Sequence, residues 1–331
     1  MTVAISAAST TAGRSCPLHY RYAPASFARV ADICAETVYI IGGLYGNLPA
    51  LEAILALAAR EAVKPTLIFN GDFNWFNVDH DSFAAVNRAV LTHVALRGNV
   101  ETELGLDAGD AGCGCAYPDY VDDADVNRSN QIMQRLRHTA LAFPDLCRQL
   151  AQLPMFAVAQ IGARRFGIVH GDAESLAGWR FAHDSLHQAE NVTWLNRLCR
   201  ENHLAGFASS HTCLPALRRF VDVADAGRMH VVINNGAAGM PNFSRTQHGV
   251  ISRLSIHPAP AGLAQYGEAQ DEVYVDAIPV RYDVAAFHTT FVKNWPAGSP
   301  AHRGYFQRLV DGPDYEAAQA LGVTLTAPGW T

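Results

Sequence analysis

An α/β fold with parallel strands is predicted by the first third of the sequence, where short apolar runs alternate with helical patterns. Residues 38–41, 66–69 and 94–96 are apolar, and each run is stopped by glycine or by a polar residue. Between these runs, residues 48–57 and 82–93 place apolar side chains at helical spacing. Strands that alternate with helices form parallel sheets with crossover helices. Ligands bind such sheets at the carboxyl ends of the strands, which is where this chain carries its polar residues.

The rest of the chain continues with both kinds of element. A hairpin is predicted at residues 156–170, with its turn at Gly162 and Ala163. Further helices are predicted at residues 126–138, 143–153 and 184–202, and further strands at residues 204–209, 219–223, 230–234, 250–256 and 273–282. No internal repeat is present. The predicted organisation is a flexible lead-in over residues 1–36, a main domain over residues 37–282 with an insertion at about 102–153, and a C-terminal extension over residues 283–331.

Composition and charge exclude several classes of protein. Of the 331 residues, 49% are hydrophobic and 17% are charged, which is the balance of a chain that buries a core. Lys and Arg number 25 against 31 Asp and Glu, so the formal net charge is −6. This acidity argues against a surface for nucleic-acid polymers or for anionic membranes. A small phosphorylated substrate remains compatible with it, because only the local field of a cleft matters there.

The termini and the cysteines predict a cytoplasmic protein. The N-terminus has no basic segment followed by an apolar one, and no window is long and apolar enough to cross a membrane. The seven cysteines are odd in number and irregularly spaced, which is not typical of a disulfide framework. Cys113 and Cys115 form a Cys-x-Cys pair without a second pair to complete a zinc site, so a reduced surface loop is expected there. The sequence leaves a homo-oligomer open.

Four metal-ligand side chains follow predicted strands. Asp72 and Asn99 offer oxygen atoms, and His170 and His211 offer imidazole nitrogens. Two oxygens and two nitrogens suit a divalent transition ion such as Mn, Fe or Zn. A lone strand-end histidine is usually structural, so the interpretation depends on the four residues occurring together.

The order of the motifs resembles that of the calcineurin-like metallophosphoesterase superfamily over roughly residues 38–240. The motifs are Gly42-Gly43-Leu44-Tyr45-Gly46-Asn47, Gly71-Asp72, Gly98-Asn99-Val100-Glu101, His170-Gly171-Asp172 and Ser210-His211-Thr212-Cys213. The family pattern is Gly-Asp-x-His-Gly, Gly-Asp, Gly-Asn-His-Asp/Glu, His-Gly and Gly-His-Thr-His. The resemblance implies a four-layered α/β/β/α sandwich with mixed sheets. Five motifs in the right order are far more specific than one.

The departures from this pattern fall on one of the family's two metal sites. The resemblance implies that one metal is held by Asp72, Asn99, His170 and His211, all of which are present. At the other site, the family's first Asp, its His and its last His are replaced by Gly43, Tyr45 and Cys213. The sequence therefore predicts one divalent metal per chain.

Further site residues are predicted around this metal. The family's motif histidine is Val100 here, and Arg97 matches an arginine that grips phosphate in some family members. Tyr45 is a candidate catalytic residue that fills space or donates a hydrogen bond to the substrate, and with Cys213 it is also a candidate to rebuild the second site. The candidate substrate contacts are Arg128, Asn130 and Cys213.

Three functions are compatible with these residues. The first is a one-metal hydrolase of phosphate esters, with Arg97 countering the developing charge. The second is a catalytically impaired protein that binds a phosphorylated ligand or a partner protein. The third is an enzyme of altered chemistry on the same fold, in which Tyr45 and Cys213 act on the substrate. Fold alone does not decide among them.

Overall fold

The computed structural model describes residues 12–105 and 111–326, and within them the strands form two mixed sheets. The first sheet contains, in spatial order, β1 (Ile33–Ala35), β5 (Phe156–Ile161), β6 (Arg164–Val169), β7 (Gly206–Ser209), β9 (Arg228–Asn235), β8 (Pro215–Asp222) and β13 (Leu321–Thr326). The second contains β11 (Tyr266–Gln270), β12 (Val273–Val280), β10 (Gly249–Ser255), β2 (Thr37–Ile41), β3 (Thr66–Asn70) and β4 (Val94–Leu96). The helices are α1 (Leu48–Ala58), α2 (His80–Val90), α3 (Asn99–Gly105), α4 (Asp123–Ala140), α5 (Pro144–Gln152), α6 (Ala189–Asn202), α7 (Val284–Asn294), α8 (Pro300–Asp311) and α9 (Ala317–Ala320).

The two sheets pack face to face, with helices outside each of them. In β2, Val38 and Ile40 lie in the core between the sheets. Tyr39 and Ile41 point the other way, into the core shared with α1, α2 and α4. A third core lies outside the first sheet, where Phe207 packs against residues of α6. Since successive side chains of a strand face opposite sides, strands buried on both faces are apolar throughout. The predicted four-layered sandwich is confirmed.

Parallel pairing brings the carboxyl ends of several strands to one edge. In the second sheet β2, β3 and β4 are mutually parallel neighbours, as the strand–helix alternation predicts. In the first sheet β6, β7 and β9 are parallel neighbours. The predicted hairpin is β5 and β6, which pair antiparallel. The polar residues that follow these strands are thereby gathered where the two sheets meet.

The N-terminal segment differs from the predicted flexible lead-in. Over residues 12–36, Tyr20 and Phe27 are fully buried, and β1 pairs in parallel with β5. Phe27 contacts Phe207 edge to face with 5.2 Å between ring centroids. These aromatic anchors hold the segment against the first sheet, so the lead-in prediction is wrong for residues 12–36. Residues 1–11 lie outside the described residues.

The insertion and the C-terminal extension both pack onto the helical layer beside the second sheet. Within the predicted insertion, α4 contacts α8 and α3 contacts α5. In the extension, Trp295 is fully buried and donates a hydrogen bond from Nε1 to the Phe76 carbonyl at 2.9 Å. The extension continues into β13, which pairs in parallel with β8 of the first sheet. Residues 106–110 and 327–331, which fall in these two segments, lie outside the described residues.

None of the helices within residues 12–105 and 111–326 combines the length and the hydropathy needed to cross a membrane.

Candidate metal centre

Four side chains converge where the parallel strands end. Asp72 follows β3, Asn99 begins α3 just after β4, His170 follows β6 and His211 follows β7. Each side chain is almost completely buried. Asp72, His170 and His211 present ligand atoms within 4.8 Å of one another. Two strands from each sheet thus supply one compact group of donors.

The separations between the donor atoms match a metal coordination sphere. His170 Nε2 lies 3.3 Å from Asp72 Oδ2, 3.2 Å from Asn99 Oδ1 and 3.2 Å from His211 Nδ1. Ligand bonds of about 2.1 Å place neighbouring ligand atoms roughly 3.0 Å apart at right angles and roughly 3.4 Å apart in a tetrahedron. The three distances fall between these limits.

Backbone carbonyls fix which nitrogen of each imidazole faces the centre. His170 Nδ1 donates to the Asn70 carbonyl at 2.8 Å, and His211 Nε2 donates to the Cys115 carbonyl at 3.0 Å. A carbonyl only accepts, so these nitrogens carry the protons. His170 Nε2 and His211 Nδ1 are then left with lone pairs directed at each other. This is how proteins orient metal-binding histidines.

Asn99 is oriented in the same way. Its Nδ2 donates to the Cys113 carbonyl at 2.9 Å, so its Oδ1 faces the centre. Four acceptor atoms therefore meet in a buried space, and they need a cation between them. The donor set fits a divalent metal ion.

Electrostatics show that Asp72 and His170 stabilise each other's charged forms. Burial lowers the pKa of His170, but the charge and hydrogen bond of Asp72, together with the Asn70 carbonyl and the Glu101 charge, raise that pKa above its ordinary value. Burial raises the pKa of Asp72, but the charge and hydrogen bond of His170, together with His211 and the Val100 N–H, lower that pKa. Burial and the nearby His170 charge lower the pKa of His211 to about 4. A proton on His170 thus occupies the place that a metal ion takes.

Glu101 holds together the two loops that carry the oxygen ligands. Its Oε2 accepts hydrogen bonds from the Asp72 and Gly98 backbone N–H groups at 2.7 and 3.0 Å. Gly98 has no room for a side chain, since a Cβ there would lie 2.3 Å from Asp72 Oδ1. The Val100 side chain is buried, and its backbone N–H donates to Asp72 Oδ1 at 3.1 Å. Asp72 is thereby fixed on two sides, by its own backbone N–H donating to Glu101 and by its carboxylate accepting from the Val100 N–H.

The position of the second metal site is filled by a tyrosine. A Cβ built on Gly43 would lie 2.9 Å from Tyr45 Cζ and 3.0 Å from its hydroxyl oxygen. The Tyr45 hydroxyl and Cys213 Sγ lie 3.0 Å apart in hydrogen-bond contact. Burial raises the pKa of both groups, so they are neutral at pH 7. The ring occupies the space of the missing carboxylate, and the hydroxyl and thiol satisfy each other.

Three residues at this site have strained backbone conformations. Tyr45, Asp72 and Cys213 have φ angles of 56°, 54° and 61°, in the left-handed region. Such conformations are uncommon for residues other than glycine and cost of order 1 kcal/mol each. Surrounding contacts hold all three residues in these conformations beside the metal ligands.

Three of the sequence-predicted site residues are used elsewhere. Arg97 donates to the Ala151 carbonyl in α5. Arg128 is paired with Asp125 one helical turn away. Asn130 accepts from the Cys113 backbone N–H at 2.9 Å and donates to the Ala12 carbonyl at 2.9 Å. None of the three is among the described residues that line the cleft at the metal ligands.

That cleft is narrow and aromatic. Its volume is about 30 Å³, and its lining includes Asp72, Asn99, His211, Tyr45 and Cys213. The remaining lining residues are Trp75, Val100, Cys115, Tyr117 and Tyr305. A space of this size holds only a few waters.

Four of the cleft residues come from outside the shared motifs, namely Trp75, Cys115, Tyr117 and Tyr305. Tyr117 belongs to the insertion and Tyr305 to α8 of the C-terminal extension. Sequence reasoning missed them as site residues, because no spacing relates them to the metal ligands. The presence of Trp295, Phe291 and Tyr305 in the extension was the only available signal that it packs on the core.

The cysteine pair also differs from expectation. Cys113 and Cys115 are buried and joined by a disulfide. The predicted reduced surface loop is wrong, because their backbone carbonyls are needed as acceptors for Asn99 and His211. The remaining cysteines of the described residues are free.

Comparison with known proteins supports the fold. No family model and no curated protein matches this chain. A metallophosphoesterase from Sphaerobacter thermophilus is similar in structure, with a TM-score of 0.53 and 16% identity over 84% of this chain and 100% of that one. A hypothetical protein from Pyrococcus horikoshii OT3 is similar at a TM-score of 0.53 and 15% identity, over 84% of this chain and 99% of that one. At such identities the likeness concerns the fold, and this chain has the metallophosphoesterase fold.

Proposed function

We propose that this protein hydrolyses small phosphate esters with a single divalent transition metal held by Asp72, Asn99, His170 and His211. The observation that carries the proposal is the pairing of one intact set of converging acceptors with a second site filled by Tyr45. Mn, Fe and Zn all suit two oxygens and two imidazoles. The identity of the metal and its number per chain are part of the proposal.

The chain's own groups have separate tasks in this mechanism. The bound metal would supply Lewis-acid polarisation of a phosphoryl oxygen or of a water. Asp72 and Asn99 stay oriented by the Val100 N–H and by the Cys113 carbonyl, respectively. The neutral Tyr45 hydroxyl belongs to the lining of the cleft that Asp72 also lines, and it would donate a hydrogen bond to the phosphoryl group. Arg97 has no part in this mechanism, because its guanidinium donates to the Ala151 carbonyl.

The narrow cleft favours a second candidate, a binding protein without turnover. A space of about 30 Å³ does not admit a phosphate ester unless Tyr117 and Tyr305 move apart. A protein that keeps the metal only to stabilise the fold, or to bind a phosphorylated ligand or a partner protein, would have such a cleft. The altered-chemistry alternative requires Tyr45 and Cys213 to act on the substrate. A cytoplasmic location and a homo-oligomer remain predictions.

Hydrolysis assays separate these functions. Purified protein loaded with Mn²⁺ or Zn²⁺ is offered p-nitrophenyl phosphate and bis-p-nitrophenyl phosphate. The proposal predicts turnover that is lost in His170→Ala and kept in His138→Ala, since His138 is an exposed histidine of α4. Metal binding without turnover supports the binding protein. Loss of turnover in Cys213→Ala at unchanged metal content supports the altered chemistry, whereas Tyr45→Phe should impair turnover under either mechanism.

A further inference from the structure

The loop Cys113–Gly114–Cys115 contacts two of the four candidate metal ligands through its backbone. The Cys113 carbonyl accepts from Asn99 Nδ2 at 2.9 Å, and the Cys115 carbonyl accepts from His211 Nε2 at 3.0 Å. One contact turns the Asn99 oxygen toward the metal position, and the other selects the His211 tautomer whose Nδ1 faces it. This loop lies in the insertion and belongs to none of the metal-binding motifs.

The loop is fixed on several sides. The Cys113 backbone N–H donates to Asn130 Oδ1 at 2.9 Å, and Trp179 Nε1 donates to the Cys115 carbonyl at 3.0 Å. A disulfide joins the two cysteines, and Cys113 is completely buried. Cys115 lines the cleft beside Asp72 and His211. The covalent link thus closes the segment that orients the metal ligands.

We propose that the Cys113–Cys115 disulfide is a redox-sensitive positioning element of the metal centre, with the reduced form binding metal more weakly. In the chemical step, a dithiol reductant attacks the disulfide, the sulfur–sulfur bond breaks, and two electrons and two protons pass to the protein sulfurs. Two protein thiols form, and the dithiol becomes a cyclic disulfide. The inference rests on the metal site of the proposed function and not on hydrolysis.

Packing explains why reduction would reach the metal ligands. Bonded sulfurs lie about 2.0 Å apart, whereas non-bonded heavy atoms approach to only roughly 3.5–4 Å. Two buried thiols therefore need more room than the closed pair, and around the completely buried Cys113 the close-packed interior provides that room by a shift of the loop. The carbonyls move with the loop, and hydrogen bonds of 2.9 and 3.0 Å weaken when they lengthen. Loss of such supporting contacts typically lowers metal affinity about 10–100-fold.

The first test counts thiols and measures metal affinity. Protein purified without reductant is denatured and titrated with a thiol reagent. The proposal expects five reactive thiols of the seven cysteines, and seven would overturn it. Native protein is then reduced with dithiothreitol, desalted under nitrogen and titrated with Zn²⁺ against a chelator. The expected result is an affinity about 10–100-fold weaker than in the oxidised protein. Unchanged affinity, tighter affinity through a Cys115 thiolate, or a disulfide that resists dithiothreitol in the native protein would each overturn the proposal.

Variants and a spectroscopic signature separate positioning from general stability. In the double variant Cys113→Ser and Cys115→Ser, affinity should equal that of the reduced protein and no longer respond to reductant. The exposed, free Cys34 gives the matched control Cys34→Ser, which should respond like the wild type. Nitrogen NMR of the imidazoles should report a proton on His211 Nε2 in oxidised, metal-free protein, and a mixture of tautomers after reduction. An unchanged tautomer would contradict the proposal.

The NMR and thiol readouts also distinguish the two proposals from each other. If the wild-type protein binds no metal in either redox state, the proposed function is wrong. The His211 tautomer still decides whether the loop positions that side chain. If the serine variant does not fold, reduction of the wild-type protein gives the same comparison without a substitution.

Discussion

Replacing Gly43 with alanine tests whether Tyr45 fills the second metal site. The new Cβ would lie 2.9 Å from Tyr45 Cζ and 3.3 Å from the Ala237 Cα, so the tyrosine ring must move. Gly43 has a φ of 65°, where a side chain costs about 1–2 kcal/mol. Displacing the ring also breaks the contact between the Tyr45 hydroxyl and Cys213, worth about 1 kcal/mol. The free energy of unfolding should therefore fall by about 2–3 kcal/mol in total.

Gly227 provides the matched control for this substitution. Its φ of 75° imposes the same strain on alanine, but a Cβ there meets nothing within 4 Å. Gly227→Ala should cost only the strain, about 1–2 kcal/mol. The difference between the two alanine variants isolates the clash with Tyr45.

A double-mutant cycle in urea, monitored by tryptophan fluorescence, completes the test. Tyr45→Ala removes a buried aromatic side chain and should cost about 3–5 kcal/mol. In the double variant the methyl group that Gly43→Ala introduces enters space that the ring has left, so the combined cost should be smaller than the sum by about 1–2 kcal/mol. If the two costs add to within about 0.5 kcal/mol, the ring does not occupy the space next to the Gly43 Cα, and the reasoning is refuted.

Three further predictions concern the centre and its surroundings. Zn²⁺ at about 100 times its dissociation constant should raise the free energy of unfolding of the wild type and of His138→Ala by about 2.7 kcal/mol and leave that of His170→Ala unchanged. Calorimetry measures these shifts, and equal shifts in all three proteins would contradict the ligand assignment. Because the pKa of His170 is raised, its protonation stabilises the metal-free protein below pH 6.5, and this contribution is lost as the pH rises through the raised value. Zn²⁺ affinity should rise with pH through the raised pKa of His170, because the His170 proton competes with the metal. An affinity that does not depend on pH in chelator titrations would show that this proton does not compete. Trp295→Phe leaves the buried Phe76 carbonyl without its donor and should lower the free energy of unfolding in urea by about 1–3 kcal/mol; a change under about 0.5 kcal/mol would mean that the extension is not anchored there.

The parallel strands and the positions of the ligands were predictable because their signals are local. Residues 38–41 are apolar throughout, which is what burial on both faces requires, and β2 lies between β10 and β3. Asp72 and His170 directly follow strands, so parallel pairing alone brings them to one edge. Asn99 and His211 follow β4 and β7 in the same way, and the resemblance to a known pattern added that the four residues bind one metal.

Other elements could not be predicted, because their signals depend on tertiary contacts. β11 contains Gly267 and has no apolar run, and it forms a strand because β12 offers a partner along its length. Residues 12–36 are held by Tyr20 and Phe27 in cores that the rest of the chain builds. Motif analogy suggested that Arg97 faces a phosphate, but the carbonyl at the end of α5 competes for its guanidinium. Spacing along the sequence carries no information about such competition.

The cysteine pair shows the same limit for side-chain chemistry. A Cys-x-Cys motif outside any zinc pattern predicts an ordinary loop. In the folded protein its carbonyls accept hydrogen bonds from Asn99 and His211, which lie 14 and 96 residues from their respective partners. The loop can orient Asn99 and His211 only once the chain has folded, so no local sequence pattern could predict this role.

The number and position of metal ions test the central claim most directly. Protein loaded with Mn²⁺, desalted and measured by elemental analysis should contain one ion per chain. Anomalous diffraction at the manganese edge should place that ion among Asp72, Asn99, His170 and His211, with no peak between Tyr45 and Cys213. A chain that binds no ion, or that holds a second ion beside Tyr45, would contradict the claim that this fold keeps one metal site and fills the other with a side chain.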